Sequence, residues 1–213
     1  MHAAALTTAA ALAGWTLLQV PAWLSSVSAW NYFWTFNSTR GPDWGSLWLV
    51  AQNLGANYSV HGMNLIQWVV MAGICAGVAA LARWAPNPPS LAQLGYLLTV
   101  GFLITNKVYS PQYVLWLLPL AVLARPRWRD QLIWQSTELF YFFFIWWYFA
   151  GYLNLNGGNS FMLYSVAIYV RIAGEVFLVV MILRDLLLAE PQSVDPLEDR
   201  HTLGREDHAE LVS

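Results

Sequence analysis

Four apolar stretches, at residues 3–24, 63–84, 131–150 and 161–183, constrain this chain more than any other feature. Each approaches the about 20 residues that a helix needs to cross a bilayer. A lipid core offers no hydrogen-bond partners to open backbone, which favours helices that pair their own peptide groups. Charged residues make up only 10% of the chain, against roughly 25% in soluble domains. Hydrophobic residues reach 58%, and the mean hydropathy is +0.45. These values exclude a water-soluble globular protein, a disordered chain and a nucleic-acid binder. The 13 Trp residues agree, because Trp and Tyr collect where membrane meets water. The first stretch lacks the basic residues that precede a signal-peptide core, so a membrane span is the better reading of it.

A further apolar region at 91–124 is interrupted by the polar segment Asn106–Gln112. It reads as a hairpin of two segments, 91–106 and 112–124. The chain is therefore expected to be an all-α, polytopic membrane helix bundle of about six transmembrane segments. Lys and Arg in short loops mark the cytoplasmic side. With the amino end inside, Arg83, the cluster Arg125, Arg127 and Arg129, and Arg184 all fall at cytoplasmic ends. Both termini then face the cytoplasm of a cell whose plasma membrane the chain crosses. Residues 1–185 form the bundle, with a Trp-rich outer loop at 25–62 and a short Asn/Gly-rich one at 152–160. Residues 186–213 carry seven acids against two bases, a net −5. So acidic a segment with few apolar residues is expected to be a disordered cytoplasmic tail.

The polar break in the hairpin is the first candidate site. As helices, 91–106 would rise about 24 Å and 112–124 about 20 Å, both short of the roughly 30 Å hydrocarbon core. A turn at that depth must lie against protein or a wet cavity. Ser110-Pro111 resembles a helix start, with Ser as cap and Pro in the first position. A helix amino end attracts anions, and Lys107 adds a full charge beside it. Lys107, Tyr109, Ser110 and Gln112 are therefore candidates to hold a phosphate. The plainer alternative is that Lys107 reaches up to the interface and the turn simply joins two helices.

The second candidate is a set of buried charges, Glu138, Arg171 and Glu175. Helical rise places Glu138 about 12 Å from the cytoplasmic start of its segment and Glu175 about 13 Å from the cytoplasmic end of the next. Arg171 and Glu175 are i,i+4 neighbours, suited to pairing. A charge at such depth costs at least about 2.5 kcal/mol and is often functional; a structural pair joining two helices is the alternative. The third candidate is the outer-loop motif Arg40-Gly41-Pro42-Asp43-Trp44-Gly45-Ser46-Leu47-Trp48. Arg40 and Asp43 could meet a sugar or phosphate there, and Trp44 or Trp48 could stack on a sugar ring. The alternative is an aromatic belt, with Asp43 capping a short interfacial helix. Gly73-Ile74-Cys75-Ala76-Gly77 is a GxxxG pattern and predicts close helix packing. Cys75 stands alone and the four His residues are scattered, so no metal site is expected.

Thr105-Asn106-Lys107-Val108-Tyr109-Ser110-Pro111-Gln112-Tyr113, followed by Val114-Leu115-Trp116-Leu117-Leu118-Pro119-Leu120, carries a resemblance together with the Arg40–Trp48 motif. The two resemble the carboxy-terminal half of actinobacterial membrane glycosyltransferases of family 87. These are GT-C enzymes similar to α-mannosyltransferases that use polyprenyl-phosphate mannose. The resemblance implies an outer-face site in which a lipid-phosphate sugar donor enters from the membrane. A carboxylate there activates the acceptor hydroxyl, and a cation steadies the leaving phosphate. It implies no metal and no cofactor. It also implies a much longer chain, with the catalytic carboxylate in a first outer loop that has no counterpart here. The expectation is a carboxy-terminal part, inactive alone, whose catalytic base is not assigned. Its partners would be the polyprenyl-phosphate-linked sugar, membrane lipid and an amino-terminal half. Two other classes fit the same residues: a non-catalytic membrane subunit, and a small transporter suggested by the broken hairpin and buried charges.

Overall fold

The computed structural model describes residues 2–153 and 160–188. Within these residues the chain is all helical, with no strand. The elements are α1 (His2–Ser25), α2 (Val27–Thr39), α3 (Leu47–Asn53), α4 (Val60–Trp84), α5 (Leu91–Thr105), a 3-10 turn (Pro111–Tyr113), α6 (Val114–Ala124), α7 (Trp128–Phe149) and α8 (Ser160–Leu187). Two helices, Val60–Trp84 and Phe161–Leu187, are long and apolar enough to cross a membrane by length and composition. Leu91–Thr105 and Pro111–Ala124 are shorter apolar helices. The acidic tail from residue 189, and residues 154–159 of the short loop, lie outside the described residues.

Polar residues next to apolar runs set the helix starts. Ser59 Oγ accepts the Gly62 amide to begin α4. Ser90 and Gln93 form a reciprocal capping box at α5, after the helix-breaking pair Pro88-Pro89. Each cap satisfies donors that the first helical turn leaves free. The 25–62 region differs from the single loop expected. Ser26 and Ser46 cap two further helices, α2 and α3. Asp43 does not cap the short helix; Ser46, three residues on, accepts the Leu49 amide instead. The Asp43 carboxylate is occupied by the Trp44 amide and by Arg40.

The core lies among α5, α6, α7 and α8, where Tyr96, Leu117, Trp134, Tyr141, Tyr164 and Ile168 are fully enclosed. By contrast, α2 buries no residue. The bundle has two ends. At one, Asn87 Nδ2 donates to the carbonyls of Asp185 and Leu188. Buried Arg125 there bridges Asp130, at 2.6 Å, and Asp185. At the other end the α2–α3 connection, the start of α4 and the α5–α6 turn converge. Asn64 Nδ2 reaches Ser38 O at 2.7 Å, and Trp48 Nε1 reaches Thr105 O at 2.8 Å.

Close helix approach occurs away from the GxxxG pattern. Side chains built at Gly73 and Gly77 would meet nothing within 4 Å. Ile74 instead packs on Gly101, so α4 meets α5 through the residue between the glycines, and the two glycines point elsewhere. The tightest contact is Gly174 in α8, where a Cβ would collide with Thr137 of α7. Overpacking a close contact costs about 1–3 kcal/mol. Gly174→Ala is therefore expected to lower the detergent-solubilised melting temperature, whereas Gly77→Ala leaves it unchanged or higher. Equal melting of the two variants would contradict this helix contact.

Candidate functional site

The two sequence motifs pair through their backbones. The Asp43 amide donates to Lys107 O at 2.8 Å, and the Tyr109 amide donates to Trp44 O at 2.9 Å. Between them Gly45 adopts a φ of 74°. That left-handed conformation suits glycine, and a Cβ there would also collide with Tyr141 Oη and Tyr109 O. Ser46 then turns the chain into α3, its amide and hydroxyl both donating to Asp43 O.

Lys107 is central to this junction but not to its open face. Its side chain is buried, and Nζ donates to Asn37 O at 2.7 Å, Arg40 O at 2.8 Å and Asn64 Oδ1 at 2.8 Å. An ammonium group has three donors, so all three are taken. Burial, with the Arg40 charge adding to it, holds the Lys107 ammonium below the ordinary lysine value. Lys107 thus closes the end of α2 onto the start of α4 and fixes where Arg40 sits.

Beside the junction is a cleft of about 550 Å³. It is lined by Arg40, Asp43 and Trp44 from one motif and by Tyr109, Ser110, Pro111 and Gln112 from the other. Six of the residues singled out from the sequence therefore share one cavity, and Lys107 is not among its lining residues. Arg40 and Asp43 form an ion pair, each side chain about one-third exposed at 34% and 33%. Trp44 is 40% exposed, with its ring against Tyr148 and Phe149 at centroid distances of 5.4 and 5.1 Å. Gln112 is exposed. The chain enters α6 through the 3-10 turn, with Pro111 first and no side-chain cap from Ser110. The Tyr113 amide bonds Ser110 O instead, which leaves the Ser110 hydroxyl free of a capping role.

A third wall was not among the sequence candidates: Phe142, Ile145, Trp146 and Phe149 of α7. Their spacing of i, i+3, i+4 and i+7 is one face of a helix. That periodicity was readable within the aromatic run, but nothing in it says which helix face meets a cleft. The arrangement can hold an anionic or polar head between Arg40, Ser110 and Gln112, with flat apolar surface from Trp44 and Trp146 beside it.

The buried charges lie directly beneath. Arg171 Nη1 bonds Glu175 Oε1 at 3.0 Å, and Nη2 bonds Gly45 O at 3.2 Å. Its guanidinium carbon sits 3.4 Å from the Tyr109 ring centroid. Tyr109 Oη donates to Glu138 Oε2 at 3.0 Å. Arg171 thus contacts both motifs and the Glu175 carboxyl of α8 at once, and Tyr109 links it to Glu138 of α7. Among the described residues no group of three or more His, Cys, Asp or Glu could hold a metal ion. Compared with family models, curated proteins and solved structures, the chain matches none.

Removing the Lys107 ammonium takes the donor from three partly buried acceptors, at a total of about 1–3 kcal/mol. Lys107→Met is expected to lower the melting temperature and to expose the 37–43 segment to limited proteolysis. A variant as stable and as protected as the parent would show that the three bonds hold nothing together.

Proposed function

We propose that this chain is the carboxy-terminal part of an integral membrane glycosyltransferase. It transfers a mannosyl or related hexosyl group from a polyprenyl-phosphate-sugar to an extracytoplasmic acceptor. In this reading it crosses the plasma membrane about six times with both termini in the cytoplasm. The end bearing Arg83, Arg125, Arg127, Arg129 and Arg184 is the cytoplasmic one, in keeping with the positive-inside rule. The cleft then opens at the outer face.

The observation that carries the reading is the meeting of the two motifs. Arg40–Trp48 and Thr105–Tyr113 are the segments whose residues resemble the glycosyltransferase family, and they pair with each other and both line one cleft. Arg40 supplies the accessible cation for a donor phosphate. Ser110 and Gln112 supply neutral hydrogen bonds, and Trp44 offers a face for a sugar ring. Lys107 acts one step back, by placing Arg40. Sugar transfer by the intact enzyme requires a further carboxylate from the amino-terminal part, so the chain alone is inactive and binds donor without turnover.

The test is binding in lipid nanodiscs of polyprenyl phosphate and of the matching polyprenol. The phosphate is expected to bind more tightly than the alcohol. Arg40→Gln should weaken phosphate binding about tenfold, the loss of roughly 1.4 kcal/mol from a charge-assisted contact, and leave polyprenol binding alone. Equal affinity for alcohol and phosphate, or an unchanged Kd in Arg40→Gln, would remove the phosphate site from the cleft.

A further inference from the structure

The charges buried between α7 and α8 do not balance. Glu138, Arg171 and Glu175 are 6%, 1% and 0% exposed, and two carboxyl groups share one guanidinium. The ion pairs of the described residues bring no second cation to either glutamate. The other groups facing the pair are neutral: Tyr96 from α5, Tyr109 from the α5–α6 turn, and Trp134 and Tyr141 from α7.

Hydrogen bonds distinguish the two carboxyls. Glu138 receives two donors, Tyr109 Oη on Oε2 at 3.0 Å and Trp134 Nε1 on Oε1 at 3.1 Å. Both of its oxygens act as acceptors, as an ionised carboxylate requires. Glu175 Oε1 accepts from Arg171, but its enclosed Oε2 has no donor. The two carboxyls are tied to the same side chain: Tyr109 donates to Glu138, and its ring carries the Arg171 guanidinium that holds Glu175. Two ionised carboxylates enclosed with one guanidinium repel, whereas one proton between them supplies the missing hydrogen bond. It also brings the three side chains to zero net charge, which removes an unpaired charge from an apolar interior.

Glu138 additionally opens on a second cavity. A groove of about 440 Å³ runs between α6 and α7, lined by Leu118, Gln135, Ser136, Glu138, Leu139 and Phe142. Glu175 does not line it. We propose that Glu138 and Glu175 bind a single exchangeable proton between them, and that this proton enters and leaves through the α6–α7 groove at Glu138. The site is independent of sugar transfer and concerns residues that the cleft does not use for binding. Its links to the cleft are Tyr109, which lines the cleft and donates to Glu138, and Pro111, Val114 and Phe142, which line both cleft and groove. Loss of the proton places an uncompensated negative charge under the Tyr109 side chain.

The experiment is infrared spectroscopy of the purified chain in nanodiscs at neutral pH, with labelling by a hydrophobic carbodiimide. That reagent adds across a protonated carboxyl: the acid proton passes to a carbodiimide nitrogen as the carboxyl oxygen bonds the central carbon. The wild type is expected to show the carbonyl band of a protonated carboxylic acid, and labelling mapped by mass spectrometry should fall on Glu138 and decline as pH rises. Glu138→Gln and Glu175→Gln replace an acid with a neutral isostere. Each should fold and lose the acid band, because the remaining carboxylate pairs with Arg171 alone; Glu175→Gln should also lose the label. Absence of the acid band from the wild type would overturn the proposal, as would a band that survives in both variants. Labelling at Glu175 with none at Glu138 would overturn the groove as its route. If a variant fails to fold, the wild-type spectrum and label position decide the matter by themselves.

Discussion

The guanidinium of Arg171 touches three parts of the chain that lie far apart in sequence. It is enclosed by protein, bonded to Glu175 one helical turn away, stacked on Tyr109 and donating to the Gly45 carbonyl. A buried arginine without partners would cost several kcal/mol. Its burial is therefore stable only when α8, the Arg40–Trp48 motif and the α5–α6 turn are all in place. Gly45 is the matching constraint on the other side. Its positive φ and missing side chain let the backbone approach Tyr109, Tyr141 and Arg171. Together these two residues fix how the Arg40–Trp48 motif sits on the α5–α6 turn that lines the cleft with it.

Residues lining the cleft and residues behind it do different work. Lys107, by charge the obvious anion ligand, spends its three donors on Asn37, Arg40 and Asn64. Arg40, tied to Asp43 but partly exposed, is the cation a ligand can reach. A ligand phosphate there competes with one carboxylate at the edge of the protein instead of with three bonds to a buried ammonium. This division supports the proposed donor site: a fully paired lysine sets the position, and an accessible arginine meets the charge. The aromatic face of α7 completes the cavity with surface suited to a sugar or to lipid.

Much of this fold is readable from residue order, and the unreadable parts have physical causes. Helices α4 and α8 follow from long apolar runs, and the starts of α4 and α5 from Ser59 and from Ser90 with Gln93. The pairing of Arg171 with Glu175 follows from helical spacing. Helix α2 does not, because its aromatic sequence looks the same lying at an interface as in a loop, and the short helix expected after Asp43 starts later, at the competing cap Ser46. The partners of Lys107 were also hidden, since two of the three are backbone carbonyls and every residue has one. The contact from Arg171 to Gly45 spans 126 positions and again ends on a carbonyl. Side-chain chemistry marks which residues are costly to bury; it does not mark which backbone groups receive them.

Amide hydrogen exchange tests this dependence most directly, comparing wild type with Arg171→Gln in lipid nanodiscs. The account predicts that the amides of Asp43 and Tyr109, which bond across the two motifs, lose protection together in the variant, while the middle of α4 keeps its own. Retention of protection at both amides would contradict the claim that Arg171 holds the two motifs in one site.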